Sequence, residues 1–392
     1  MGRSILCAIT AICLYGSMTC VHIPYSFRKA SLLNVNSPYL ISSYNEDSLE
    51  NSFNKVPEPS LQKSLVSTQE KSSENIKLEK RNVNINVNQN FDNIKMDIYN
   101  IPIPEFVRGL YLSNHTAASP AALVRFIEKA KQANINTFVI DVQNEMIPRE
   151  HVEMIKKAGI FPIARIVVFL GGLRTKTPAE GYIENLLDVM DAAAHQGFME
   201  VQLDYIRYAD SAEMEKLPLN FKYRIINQIL KKTQEKANSL SIFLSADLFG
   251  RVTLNEDDHI GQKLENFSEY IDTIYPMLYP SHYTNDEYRI AHPYETVKEG
   301  VQKSLQRCKK TRIVAYIQGF SWKIETSGKN LSSYVKAQME AVDDAGGDGW
   351  VIWNARNDYT DSFNALIEHD RKARKKISEF NKPGENSLNS TL

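Results

Sequence analysis

Between Ile101 and Arg374 the apolar positions alternate between two kinds of spacing. Short Val/Ile-rich runs bounded by turn residues read as buried strands, and the segments between them repeat apolar residues every three to four positions, as on helices that bury one face. The pattern predicts strands at Gly109–His115, Thr137–Gln143 and Pro162–Phe169, then one leading into Asp204 and one leading into Asp247. Further strands are predicted at Thr273–Tyr279, Arg312–Gln318 and Trp350–Asn354. Ser119 and Pro120 start a helix that runs to about Ala133, since Ser caps well and Pro suits the first helical position. A short helix ends near Ala158, and others cover Ala179–Gln196, Phe221–Asn238, 293–307, 332–345 and Ser362–Lys375. Eight strands alternating with seven helices over about 270 residues fit a (β/α)8 TIM barrel better than a doubly wound sheet. Alternation alone leaves an open sheet as the alternative, although no Gly-rich phosphate fingerprint follows the first strand.

The flanks are of a different character. Arg3 precedes an apolar run from Ile5 to Leu14, short for a membrane span and suited to the core of an export signal over residues 1–20. Cys20 could carry a lipid after cleavage, or the segment could stay as an N-terminal anchor. Against lipidation, Ser17 stands where a bulky apolar residue is usual. Residues 21–100 are mostly rich in Ser, Asn, Lys and Glu without a sustained apolar period, which predicts a disordered tether. Within it, Asn82–Asn88 alternates as a short edge strand would, although compositional bias explains it more simply. A barrel over 101–376 and a polar tail over 377–392 complete the expected organisation.

Lys and Arg total 46 against 47 Asp and Glu, so no charge excess points to a nucleic-acid partner. Three of the four cysteines lie in the leader, leaving Cys308 without a thiol neighbour for a disulfide or a zinc site. No His-Glu-x-x-His or Gly-x-Ser-x-Gly pattern occurs, so neither a metal nor another cofactor is expected.

The candidate chemistry sits at the predicted strand ends. Val201-Gln-Leu-Asp-Tyr-Ile-Arg-Tyr208 carries an apolar-rich strand straight into Asp204, and Leu244-Ser-Ala-Asp-Leu-Phe-Gly250 does the same at Asp247 about forty residues later. A carboxylate at such a place is costly to desolvate unless it is paired or used. In a barrel, functional side chains gather at the C-terminal strand ends, and two acids there match the pair that glycoside chemistry needs. Asp204 and Asp247 are therefore the candidate catalytic residues. The plain alternatives are an ion pair of Asp204 with Arg165 or Arg207, and a capping turn at Asp247. Asp141 and Arg207 are supporting residues, Asp141 able to pair with Arg165, while Asp272 precedes its strand and reads as structural. Tyr279, His282 and Tyr283 combine flat apolar faces and polar tips suited to a sugar, and with Arg165 and with Gln318, Trp353 and Asn354 on the last strands they are the candidate substrate-binding residues. Prolines 276 and 280 could equally make the first group a rigid loop, and Trp353 could fill the barrel.

These segments, with Ile163-Ala-Arg-Ile-Val-Val-Phe169, Ile260-Gly-Gln262, Ile317-Gln-Gly-Phe320, Gln338-Met-Glu-Ala341 and Gly349-Trp-Val-Ile-Trp-Asn354, resemble in order the bacterial family catalogued as the putative glycosyl hydrolase domain. The resemblance runs from about Arg108 to Tyr359. It implies a TIM barrel related to α-amylase-type and other glycoside hydrolases, with the nucleophile at Asp204 and a second acid at Asp247. Two departures stand out. Asp141-Val-Gln-Asn-Glu145 lacks the longer insert usual before the next helix, and Gly171-Gly-Leu-Arg-Thr-Lys176 replaces an aromatic segment. The expectation is an exported glycosidase of the cell envelope, periplasm or surface, acting on a carbohydrate polymer or oligosaccharide. The alternatives are a non-catalytic carbohydrate-binding barrel or a surface scaffold, and the oligomeric state stays open.

Overall fold

The computed structural model describes residues 101–142 and 145–380, with side chains described to residue 372. The expected leader (1–20), the tether (21–100) and residues 381–392 of the tail lie outside the described residues. Eight parallel staves are formed by β1 (Val107–Leu112), β2 (Thr137–Asp141), β3 (Phe161–Val167), β4 (Glu200–Asp204), β5 (Phe243–Phe249), β6 (Thr273–Met277), β7 in two pieces (Arg312–Ile313 and Ala315–Gln318), and β8 (Gly349–Trp353). Neighbours pair in chain order, β1 pairs with β8, and the β5–β6 pairing completes the ring. The sheet is thus a closed (β/α)8 barrel, and the open-sheet alternative is excluded.

The principal helices are α1 (Pro120–Gln132), α2 (Arg149–Lys157), α3 (Tyr182–Gln196), α4 (Leu219–Leu240), α5 (Leu264–Ser268), α6 (Pro293–Arg307), α7 (Leu331–Ala345) and α8 (Thr360–Phe380). Ser119 caps α1 by accepting from the Ala122 amide. Periodicity missed α5 because its five residues span little more than one turn. The last helix passes the expected boundary near Lys375 and is described as far as Phe380. Among the described residues no helix is long and apolar enough to cross a membrane.

Alternation along the staves builds two cores. Leu110, Leu112, Phe138, Ile140, Ala164 and Ile166 point outward and pack against the helices. Val107, Val139, Ile163, Val314 and Val351 point inward and fill the barrel. Each fully buried side chain of this size contributes about 1.5–3 kcal/mol through burial. Cys308 follows α6, is buried, and acts as a packing residue; burial pushes its thiol up to about 11. The inward parity that places Val139 and Ile163 in the barrel also carries Asp141 and Arg165 inward, two residues nearer the C-terminal mouth.

Candidate active site

The organising group of the mouth is Arg165. On β3 it lies opposite Asp141 of β2 and Gln202 of β4, while Asp204 pairs in register with Val167, two residues further along. A guanidinium on a long stem reaches all three surrounding acids. Nη1 donates to Asp141, Nη2 donates to Asp204, and Nε lies 3.5 Å from Asp247 Oδ2. Of the two expected partners for Asp204, the fold selects Arg165. Arg207 is buried nearby, donates to its neighbour's carbonyl at Tyr208, and packs against Tyr205 and Phe249. Its charged form is disfavoured by burial.

Three carboxylates around one guanidinium cannot all be neutralised. Burial opposes the charge on Arg165, but Asp204, Asp141 and Asp247 outweigh it and hold the group protonated. Asp247 absorbs the remaining imbalance. Burial, followed by the negative charge of Asp204, pushes its carboxyl well above the ordinary range against the pull of Arg165. Its Oδ1 is buried with no hydrogen-bond partner in the protein, which costs less for a neutral carboxyl than for an anion. Asp204 is differently placed. Its Oδ1 accepts from the Tyr205 amide at 2.6 Å while Oδ2 accepts from Arg165. Tyr205 itself takes a left-handed backbone, φ 53°, unusual for a bulky residue and frequent at functional sites.

Asp141 is the most open of the three acids, its side chain 17% exposed against 3% and 2% for Asp204 and Asp247. Tyr111 donates to it at 2.5 Å, and burial together with that carboxylate raises the phenol. Trp353 stacks on Tyr111 at 3.8 Å and lies beneath the Arg165 guanidinium at 4.9 Å, so it both fills the barrel top and borders the charged cluster. Below the cluster, Tyr316 donates to Gln202 at 2.7 Å. Deeper still, Glu200 accepts from Ser245 at 2.5 Å, and burial lifts its carboxyl to about 7 against hydrogen bonds from Ser245 and Tyr275 and the charge of Arg312. Asp272 accepts from the Leu244 amide, in keeping with a structural place at the lower rim.

The aromatic candidates lie in the loops after β6 and β7. Tyr279 is buried within the inner core, and the His282 ring contacts Tyr279, Phe320 and Trp322. Desolvation by these rings and the charge of Lys323 lower the His282 imidazole to about 4, so it is neutral at pH 7. Tyr283 turns inward, its hydroxyl buried beside Gly250. Gly250 ends the Ala-Asp-Leu-Phe-Gly segment because a Cβ there would stand 2.5 Å from the Met277 carbonyl oxygen. The amides of Gln318 and Asn354 are occupied by the backbone: Gln318 bonds Ser281, Phe320 and Trp322, and Asn354 bonds Gly319, Arg356 and Asp358. Both hold loops in place.

The rim departure seen in the sequence also has a structural counterpart. Leu173 makes a parallel bridge with Tyr208 and exchanges backbone hydrogen bonds with Arg207 and Ala209. Gly172 permits this docking, since a Cβ on it would lie 2.6 Å from the Ala209 nitrogen. The segment replacing the aromatic one therefore lies over the turn after Asp204. Tyr111, Tyr316 and Glu200 were not picked out from sequence. The period-two run Glu200, Gln202, Asp204 was the available signal for Glu200, whereas nothing local marked the two tyrosines.

Residues 176–359 match a family described as a putative glycosyl hydrolase domain. No curated protein matches the chain. Among solved structures, an endo-1,4-beta-mannanase from Rhizomucor miehei aligns at TM-score 0.50 and 10% identity over 69% of this chain and 96% of that one. An endo-1,4-beta-D-mannanase from Thermotoga petrophila aligns at 0.49 and 14% over 68% and 99%. The spore cortex-lytic enzyme SleL of Bacillus megaterium aligns at 0.49 and 9% over 68% and 75%. At such identities likeness concerns the fold alone. The family that the motifs resemble is the one whose model matches residues 176–359 of this (β/α)8 barrel.

Proposed function

We propose that the protein is a glycoside hydrolase acting on an envelope or environmental glycan, with Asp204 and Asp247 as its acid pair. The observation that carries this reading is the unequal treatment of two carboxyls beside one guanidinium. Arg165 and the Tyr205 amide both donate to Asp204, while burial and the charge of Asp204 favour a protonated Asp247. Environments that drive two carboxyls apart in this way divide acid from base or nucleophile. In the proposed reaction Asp247 gives its proton to the departing glycosidic oxygen. Asp204 attacks the anomeric carbon directly or takes a proton from the attacking water. Arg165 and Asp141 hold Asp204 in place, and Tyr279, His282 and Tyr283 belong to the loops bordering the substrate. Export through the N-terminal segment, with or without a lipid on Cys20, would bring the barrel to such glycans.

A second reading has its own support. Both acids are almost wholly buried and engaged by Arg165, an arrangement that also suits a barrel that binds glycan without cleaving it. Hydrolysis of reducing-end-labelled oligosaccharides by wild type, Asp204→Asn and Asp247→Asn separates the two. The hydrolase reading expects no turnover by the Asp204→Asn protein. It expects the Asp247→Asn protein to cleave only aryl glycosides whose leaving group needs no proton, with circular dichroism unchanged in both. Full activity in the Asp204→Asn protein, or glycan binding without turnover by wild type, refutes it.

A further inference from the structure

Two loops at the C-terminal end of the barrel are joined through one buried amide. Gln318, fully buried at the end of β7, accepts from the Ser281 amide at 3.1 Å through Oε1. Its Nε2 donates to the carbonyls of Phe320 and Trp322, each at 2.9 Å. Ser281 belongs to the loop after β6, and Phe320 and Trp322 to the loop after β7. This double engagement fixes both loops at once. The rings they carry meet edge to face: His282 stands 5.3 Å from Trp322 and 5.9 Å from Phe320, and Tyr279 stands 5.9 Å from Phe320.

Most of an aromatic cluster held this firmly would be expected to be core. Trp322 and His282 are the exceptions: both are exposed, Trp322 to 45%. The Lys323 ammonium lies 4.9 Å from its ring centroid, which the left-handed backbone of Lys323 (φ 57°) accompanies. An exposed indole on a braced loop, with an imidazole edge and an ammonium beside it, offers a flat apolar face ringed by hydrogen-bonding groups. That combination matches the apolar face and hydroxyl rim of a pyranose. The cluster lies on the same end of the barrel as Arg165 and its acids, and the buried rings of Tyr279 and Tyr316 belong to the inner core beneath it.

We infer that Trp322, with His282 beside it, is a stacking platform for a sugar unit distant from the cleaved bond, and that Gln318 is the positioning residue that holds it. The inference rests on the proposed function and deepens it: the substrate is a chain of several sugars. Affinity should then grow with chain length through Trp322. The test is calorimetric titration of cellohexaose, mannohexaose, chitohexaose and maltohexaose, and of their disaccharides, into the Asp204→Asn protein with Trp322 intact or replaced by Ala.

At least one hexasaccharide should bind more tightly than its disaccharide, and Trp322→Ala should weaken it by about tenfold, the scale of one aromatic contact, leaving the disaccharide unchanged. Gln318→Met, similar in size but unable to bridge the loops, should give the same length-selective loss. Equal affinities with and without Trp322, or no binding of any hexasaccharide, overturn the platform. The two ideas fail separately. Hydrolysis by wild type with Trp322-independent binding removes only the platform, whereas Trp322-dependent binding with no hydrolysis removes only the catalytic reading.

Discussion

Replacing Arg165 by Met is the most searching perturbation of this barrel. Met keeps much of the stem's volume and removes the charge that faces Asp141, Asp204 and Asp247. The side chain is 8% exposed, so water cannot take over the lost interactions. Removing one partner of a buried ion pair costs about 3–5 kcal/mol, because the remaining charge is left uncompensated. For a domain of this size each kcal/mol lowers Tm by about 2–4 °C, so a fall of roughly 6–20 °C is expected at pH 7.

The sign of the pH dependence makes the test sharper. Without Arg165 the buried acids hold their protons more tightly in the folded state than in the unfolded chain. A carboxyl with a raised folded pKa favours folding most below its unfolded pKa of about 4. That contribution is lost as pH rises toward the folded pKa. The variant's deficit should therefore shrink on going from pH 7 to pH 5. Urea denaturation followed by circular dichroism at both pH values, for wild type and variant, measures it. Equal stability at pH 7, or a deficit independent of pH, would falsify the idea that one guanidinium compensates the three acids. Adding Asp204→Asn to the variant should recover part of the loss.

Glu200 is a second buried acid with an opposite remedy. Its folded pKa of about 7 against an ordinary 4.5 corresponds to roughly 3 kcal/mol of stability lost as pH climbs from about 4 to above 7. Glu200→Gln should flatten that part of the stability–pH curve, and an unchanged slope in denaturant titrations would count against it. Gly250→Ala places a methyl 2.5 Å from the Met277 carbonyl oxygen and 2.7 Å from the Tyr283 hydroxyl. A loss of about 1–3 kcal/mol is expected from such overpacking, and a change below ~0.5 kcal/mol would show that the strand end yields freely.

The repeat of apolar periods over 101–374 was enough to indicate the barrel, because staves buried on both faces and helices buried on one leave different spacings in the chain. Strand-end acids were legible for a related reason: a carboxylate closing a Val/Ile-rich run conflicts with its surroundings unless something answers it. What answers it was not legible. Arg165 is 39 residues from Asp204 and 82 from Asp247 in the chain, and only barrel closure and stave register put one guanidinium among Asp141, Asp204 and Asp247. Register also decided that Gln318 and Asn354 brace loops, and that Tyr111 and Tyr316 line the acids. Secondary structure is written in neighbours along the chain, whereas the protonation of Asp247 depends on burial and on charges brought close by the fold. Those act through space and leave no local pattern to read.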